Sequence, residues 1–165
     1  DRIDVVVCGL DTDFNYRKLC LVTNILDRNK NALFLATNKD AFDLVGEDGR
    51  KLPGNGSLVK SIEVASQRLA INVGKPSAFM SNLIFSNQES HCNPSRTLMV
   101  GDRLDTDIAF AKLGGMHSAL VLTGVTTAAK IIELDNNRKE QEEIETDEEP
   151  MPDIIFPHAG LMAVE

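Results

Sequence analysis

The chain has 165 residues, with 17 Lys plus Arg against 25 Asp plus Glu, a formal charge of -8 and 42% hydrophobic residues. That content can close a hydrophobic core and is too apolar for disorder throughout. An acidic balance without a Lys/Arg stripe argues against nucleic acid or an anionic membrane surface as partner, and no apolar stretch approaches the ~20 residues of a spanning helix.

Ile3 to Leu10, interrupted by Asp4, reads as a strand. Asn15 to Lys30 sets Leu19, Val22 and Leu26 on one helical face, and Ala32 to Ala36 is a second strand, completing β-α-β. Residues 38 to 56, rich in Gly and charge, predict a loop or small hairpin. A helix capped by Asn55 or Ser57 follows, with Leu58, Ile62 and Ala65 on its apolar face, and then a strand at Ile71 to Val73. Ser77 starts a helix through Phe85. Thr97 to Val100 reads as a buried strand, Asp105 to Leu113 as a helix ended by Gly114-Gly115, and Ser118 to Leu122 as the next strand. From Glu133 to Asp153 acids dominate, which predicts solvated helix ends or a mobile segment, centred on about 135–152. Ile154 to Phe156 closes with a strand before a short helix. Regular alternation of apolar strands and helices indicates an α/β fold with parallel sheets.

Cys8, Cys20 and Cys92 are odd in number and share no C-x-x-C spacing, so they read as buried small hydrophobes in a reduced, cytoplasmic setting. The chain begins at Asp1 without a basic-then-apolar leader and runs directly into a strand, which reads as a start inside a longer sequence.

The segment richest in chemistry is Val100-Gly101-Asp102-Arg103-Leu104-Asp105-Thr106-Asp107. Ligands of open α/β sheets bind beyond the carboxyl ends of strands, so Asp102 points into such a crevice, and Asp107 in the next helical turn can curl back toward it. Two such carboxylates suit a hard cation such as Mg2+. Either acid alone would more often be a helix cap; the strand, the glycine and the spacing together favour a site. Lys75, between Gly74 and Pro76 at another strand end, places an ammonium that could neutralise a phosphoryl group.

These blocks resemble the third and fourth motifs of the haloacid dehalogenase (HAD) superfamily. The wider string resembles its phosphoglycolate, 4-nitrophenylphosphate and pyridoxal phosphate phosphatase branch: Val6 to Asp11, Ala36 to Asp40, Pro53 to Leu58 and Leu122 to Val125. The resemblance implies that residues 1–70 are part of a large α/β cap domain and residues 71–165 the second half of a HAD-like Rossmannoid core. It implies a phosphatase acting on small phosphomonoesters through an aspartyl-phosphate, with Lys75, Asp102 and Asp107 catalytic and Asp102 and Asp107 at the Mg2+ site. The cap of this branch closes over the core and selects the substrate, a small phosphorylated metabolite, which makes Asn38, Asp40 and Asn55 candidates for binding it beside Lys75. A homodimer through the cap is also implied.

The nucleophile motif of the family, Asp-x-Asp-Gly, is expected before Asp1. Asp11-Thr12-Asp13 imitates it and Phe34 to Asn38 imitates the second motif, but Phe14-Asn15-Tyr16 replaces the glycine segment that should follow. Asp11 is therefore read as a cap-domain residue, with Asp13 or Asn15 capping a helix. The alternative to an enzyme is a truncated, non-catalytic module acting in association or anion binding.

Overall fold

The computed structural model describes residues 2–46, 48–86, 92–140 and 149–162. It divides into two compact units, residues 1–74 and 75–165.

In the first unit, β1 (Val5–Cys8), α1 (Tyr16–Arg28) and β2 (Leu33–Ala36) build a β-α-β segment whose strands pair in parallel, Val6 opposite Phe34 and Cys8 opposite Ala36. Alternation along the strands puts Val6, Cys8, Phe34 and Ala36 on one face, where they meet Leu26 of α1 and Val59 and Ile62 of α2 (Asn55–Ser66). Asn15 caps α1, its side chain accepting a bond from the Lys18 amide. Cys20 lies outside the stripe of Leu19, Val22, Ile25 and Leu26 and is exposed, as is Cys92; of the three thiols only Cys8 is the buried hydrophobe expected.

The segment after β2 forms an antiparallel hairpin, β3 (Phe42–Val45) with β4 (Arg50–Pro53). Gly46 and Gly49 take the positive φ values of 76° and 63° that its turn requires. Helix α2 is capped by Gly54, where Asn55 or Ser57 was expected, because the Asn55 side chain turns inward, away from the helix's own amides. The short strand β5 (Ile71–Asn72) pairs in parallel with β2, giving the sheet order β1-β2-β5.

The second unit holds α3 (Ala78–Ser86), β6 (Leu98–Gly101), α4 (Ala109–Leu113), β7 (His117–Val121), α5 (Ala128–Glu140) and β8 (Ile154–Phe156). Its parallel sheet runs β6-β7-β8. Central β7 is buried at Ser118, Ala119, Leu120 and Val121. Strand β6, expected to be buried, leaves Leu98 and Val100 45% and 39% exposed. Among the described residues it pairs with β7 alone, and its Met99 face packs on the cluster of Phe110, Ala111 and Met116. Residues 104–113 are helical as expected, but Leu104–Ile108 is a wide turn before α4, and Gly115 ends the helix at φ 68°. Of the acidic run, residues 135–140 continue α5 and residues 141–148 lie outside the described residues.

Asp153 fastens β8 to the sheet. Its carboxylate accepts bonds from the amide and hydroxyl of fully buried Ser118, both 2.8 Å, and it pairs with Lys112. These contacts hold its carboxyl well below the usual range, at about 2.

Candidate functional site

Strand β6 ends at Gly101, and Asp102 is the first residue beyond it. The chain then widens: the amides of Asp107 and Ile108 both donate to the Arg103 carbonyl, at 3.0 and 3.1 Å. The four-residue and five-residue steps share one acceptor, which turns the Asp107 side chain back toward the strand end. There its Oδ2 accepts the amides of Asp102 and Arg103, both at 3.1 Å, and its Oδ1 accepts Lys75 Nζ at 2.6 Å. Asp107 is 4% exposed, so these three donors replace the water its charge has lost. A Cβ on Gly101 would stand 2.2 Å from the Asp107 carboxyl carbon; only glycine leaves room for it.

Asp102 is half-buried. Its Oδ2 accepts the Val125 amide at 2.7 Å and its carbonyl accepts the Thr126 amide at 3.0 Å. Arg103 grips exposed Asp105 through Nε and Nη2 at 3.1 and 2.8 Å. The second unit thus brings Lys75, Asp102 and Asp107 together, and adds Val125 and Thr126, which were missed because backbone amides leave no mark on residue type.

Magnesium keeps several waters and takes one or two carboxylate oxygens from a protein. Both oxygens of Asp107 accept hydrogen bonds, whereas among the described residues Oδ1 of Asp102 receives none. Asp102 is therefore the donor that fits a hard cation, as one ligand of a larger set: among the described residues no three His, Cys, Asp or Glu side chains form a complete cage.

In the first unit, Asn38, Asp40 and Asn55 gather around one loop. Asn38 Oδ1 accepts the Asp40 amide at 3.3 Å. Asn55, 2% exposed, donates to the Cys8 and Asn38 carbonyls at 3.2 and 2.8 Å and faces the Cys8 thiol, so its amide ties the ends of β1 and β2 together. Burial raises the Cys8 thiol above its ordinary value, and the charge of Asp11 adds to the shift. Gly54 and Gly56 press against the same loop: a Cβ on either would stand 2.4 Å from the carbonyl oxygen of Asp40 or Lys39. Asp11, the imitation nucleophile, bonds to Lys18 at 2.6 Å and accepts the Asp13 amide, which lowers its carboxyl from the ordinary value.

Two α/β units with parallel sheets, one of which sets an amine and two acids at a strand mouth, define a Rossmann-like class of protein. Residues 72–148 match the family model described as HAD-hydrolase-like. The chain is 42% identical over 129 residues to glycerol-3-phosphate phosphatase of Gallus gallus, covering 78% of this chain and 40% of that protein. It is also 42% identical over 136 residues to phosphoglycolate phosphatase 2 of Arabidopsis thaliana, covering 81% and 44%. The crystal structure of 4-nitrophenylphosphatase from Thermotoga maritima superposes with a TM-score of 0.74 at 31% identity, covering 96% of this chain and 54% of that one. The chain belongs to the HAD-like hydrolases, in the branch that holds these phosphatases. It spans less than half the length of these two curated relatives.

Proposed function

We propose that this chain is the part of a magnesium-dependent phosphomonoesterase that supplies the phosphate-neutralising lysine and one metal-binding acid. The observation that carries the reading is the 2.6 Å bond between Lys75 Nζ and buried Asp107 Oδ1, beside the half-buried carboxylate of Asp102. Lys75 is 41% exposed along its side chain, and Asp107 fixes its ammonium at the strand mouth. Its charge would offset that of a phosphoryl group as it is attacked. Asp107 is a positioning residue that orients Lys75 and braces the Asp102 and Arg103 amides.

Asp102 would hold Mg2+ through Oδ1. The bound ion supplies charge neutralisation to the transferring phosphoryl oxygens. The carboxylate that attacks phosphorus and becomes an aspartyl-phosphate is a separate group, and no Asp-x-Asp-Gly occurs in the 165 residues. In this reading residues 1–70 are part of the cap and residues 71–165 half of the core. Asn38 and Asp40 border the substrate, a small phosphorylated metabolite of the phosphoglycolate or 4-nitrophenylphosphate type, and Asn55 holds their loop in shape. A cytoplasmic homodimer through the cap completes it.

The test is hydrolysis of 4-nitrophenyl phosphate with Mg2+. The 165-residue chain alone should show no turnover. A protein in which it follows an Asp-x-Asp-Gly strand should turn over, and Lys75→Met or Asp102→Asn should each abolish this. Turnover by the chain alone that vanishes in Asp11→Asn would overturn the reading and make Asp11 the nucleophile.

A further inference from the structure

The loop between β7 and α5 carries no acid or base at residues 122–125, yet it lies against Asp102. A Cβ built on Gly124 would stand 1.9 Å from Asp102 Oδ2, 2.4 Å from its Cγ and 2.6 Å from its Cβ. All three atoms belong to one side chain, and all three distances are far inside contact. The backbone of Gly124 does not require glycine: its φ is outside the positive range that Gly46, Gly49 and Gly115 occupy. The residue is small for reasons of space alone, and the space is filled by the Asp102 carboxylate.

The next two amides use that closeness. Val125 N–H binds Asp102 Oδ2 at 2.7 Å and Thr126 N–H binds the Asp102 carbonyl at 3.0 Å. Side chain and backbone of the same residue are therefore both fixed by consecutive amides, which settles which carboxylate oxygen faces the loop and which is left over. Thr126 is 6% exposed and Thr127 Oγ1 accepts the Lys130 amide at the start of α5, so the loop is anchored at its far end. Gly101 does the same for Asp107, giving each carboxylate a glycine that makes room for it.

We infer that Gly124 and the Val125 amide are positioning residues for cation binding: they clamp Oδ2 of Asp102 and thereby present Oδ1 to the ion. The inference rests on Asp102 being a metal ligand. Groups that orient a ligand in this way commonly change metal affinity by about 10- to 100-fold when lost. Alanine at 124 must push the carboxylate aside and break the 2.7 Å bond, so affinity falls although no ligand has been removed.

Mn2+ titrated into the 15N-labelled protein in which this chain follows an Asp-x-Asp-Gly strand tests this through paramagnetic broadening of assigned amides. Broadening should concentrate at Asp102, Arg103, Val125 and Thr126, vanish in Asp102→Asn, and need about tenfold more Mn2+ in Gly124→Ala. Unchanged affinity in a folded Gly124→Ala overturns the inference and leaves the metal reading standing. No localised broadening in the wild type, or none lost in Asp102→Asn, overturns the metal reading and the inference with it. Should Gly124→Ala fail to fold, titration of the wild type with diamagnetic Mg2+ decides: the Val125 amide shift must move with the same midpoint as that of Asp102, and a Val125 amide that stays still refutes the clamp.

Discussion

Lys75 and Asp107 stand 32 positions apart in the chain and meet at 2.6 Å, the amine half-exposed and the acid buried. The pair joins the start of the second unit to the wide turn after β6, so it is part of the fold as well as of the proposed chemistry. Replacing Asp107 by Asn removes the charge that the ammonium and two backbone amides share. The expected cost is about 1.5–3 kcal/mol, the range for hydrogen bonds to charged groups. Lys75→Met should cost at least as much, because both amides bind Oδ2 and the loss of the ammonium leaves Oδ1 of a buried carboxylate without its partner. Urea unfolding of both variants checks the order; a clearly cheaper Lys75→Met would contradict it.

Gly101→Ala should be destabilising by about 1–3 kcal/mol, the range for forcing extra atoms into a packed site. The new methyl would meet the Asp107 carboxyl group at 2.2 Å, and that group is tied to three donors and has nowhere to retreat. The double variant Gly101→Ala with Asp107→Ala should recover part of the loss, and strictly additive effects would refute the steric explanation.

Acid stability should depend on Asp153. Its carboxyl is held at about 2 in the folded chain by Lys112 and Ser118, against an ordinary value of 3.8. A folded value below the unfolded one means that the contribution is whole above 3.8 and is lost as the pH falls toward about 2. Asp153→Asn should lower stability at neutral pH and flatten the decline across that acid window. Denaturant midpoints measured across the window give the answer; parallel curves for wild type and variant would exclude Asp153 as the source.

In the first unit, Asn55→Ala should loosen the ends of β1 and β2 together. The substitution strips partners from the Cys8 and Asn38 carbonyls and opens space at a fully buried position. A loss of about 2–4 kcal/mol is expected from the unmade bonds and the cavity combined. Amide exchange should accelerate at Gly9 and at residues 37–40 before it does in α1; uniform acceleration across the unit would count against a local clamp.

Arg68 closes the far end of α1, donating to the carbonyls of Leu26, Asn29 and Ala32 at 3.3, 3.2 and 2.6 Å. Lysine keeps the charge but lacks the planar fork that spans three acceptors. Arg68→Lys should therefore lower stability by about 1 kcal/mol, a typical net value for one hydrogen bond, and fray the last turn of α1. Thermal unfolding with helical circular dichroism measures both effects, and a neutral substitution would show that solvent serves these carbonyls equally well.

The sequence alone determined the α/β class, the strand positions and the neighbourhood of Lys75, Asp102 and Asp107. Those features rest on short-range signals: apolar alternation at Val5 to Cys8, a glycine after a strand at 101, a helical stripe through Leu19, Val22 and Leu26. Tertiary structure decided the rest. Burial along β6 depends on which face of the sheet is covered, which its residues do not encode: Met99 packs on Phe110, Ala111 and Met116, while Leu98 and Val100 on the other face are half-open. Asn55 had every attribute of a helix cap until folding drew its amide into the gap between two strand ends. Which oxygen of Asp102 is held by the protein is settled by the Val125 amide, a donor common to all residues but proline, 23 positions along the chain. Local chemistry is written in side-chain types, whereas orientation and burial arise only when distant backbone is brought alongside.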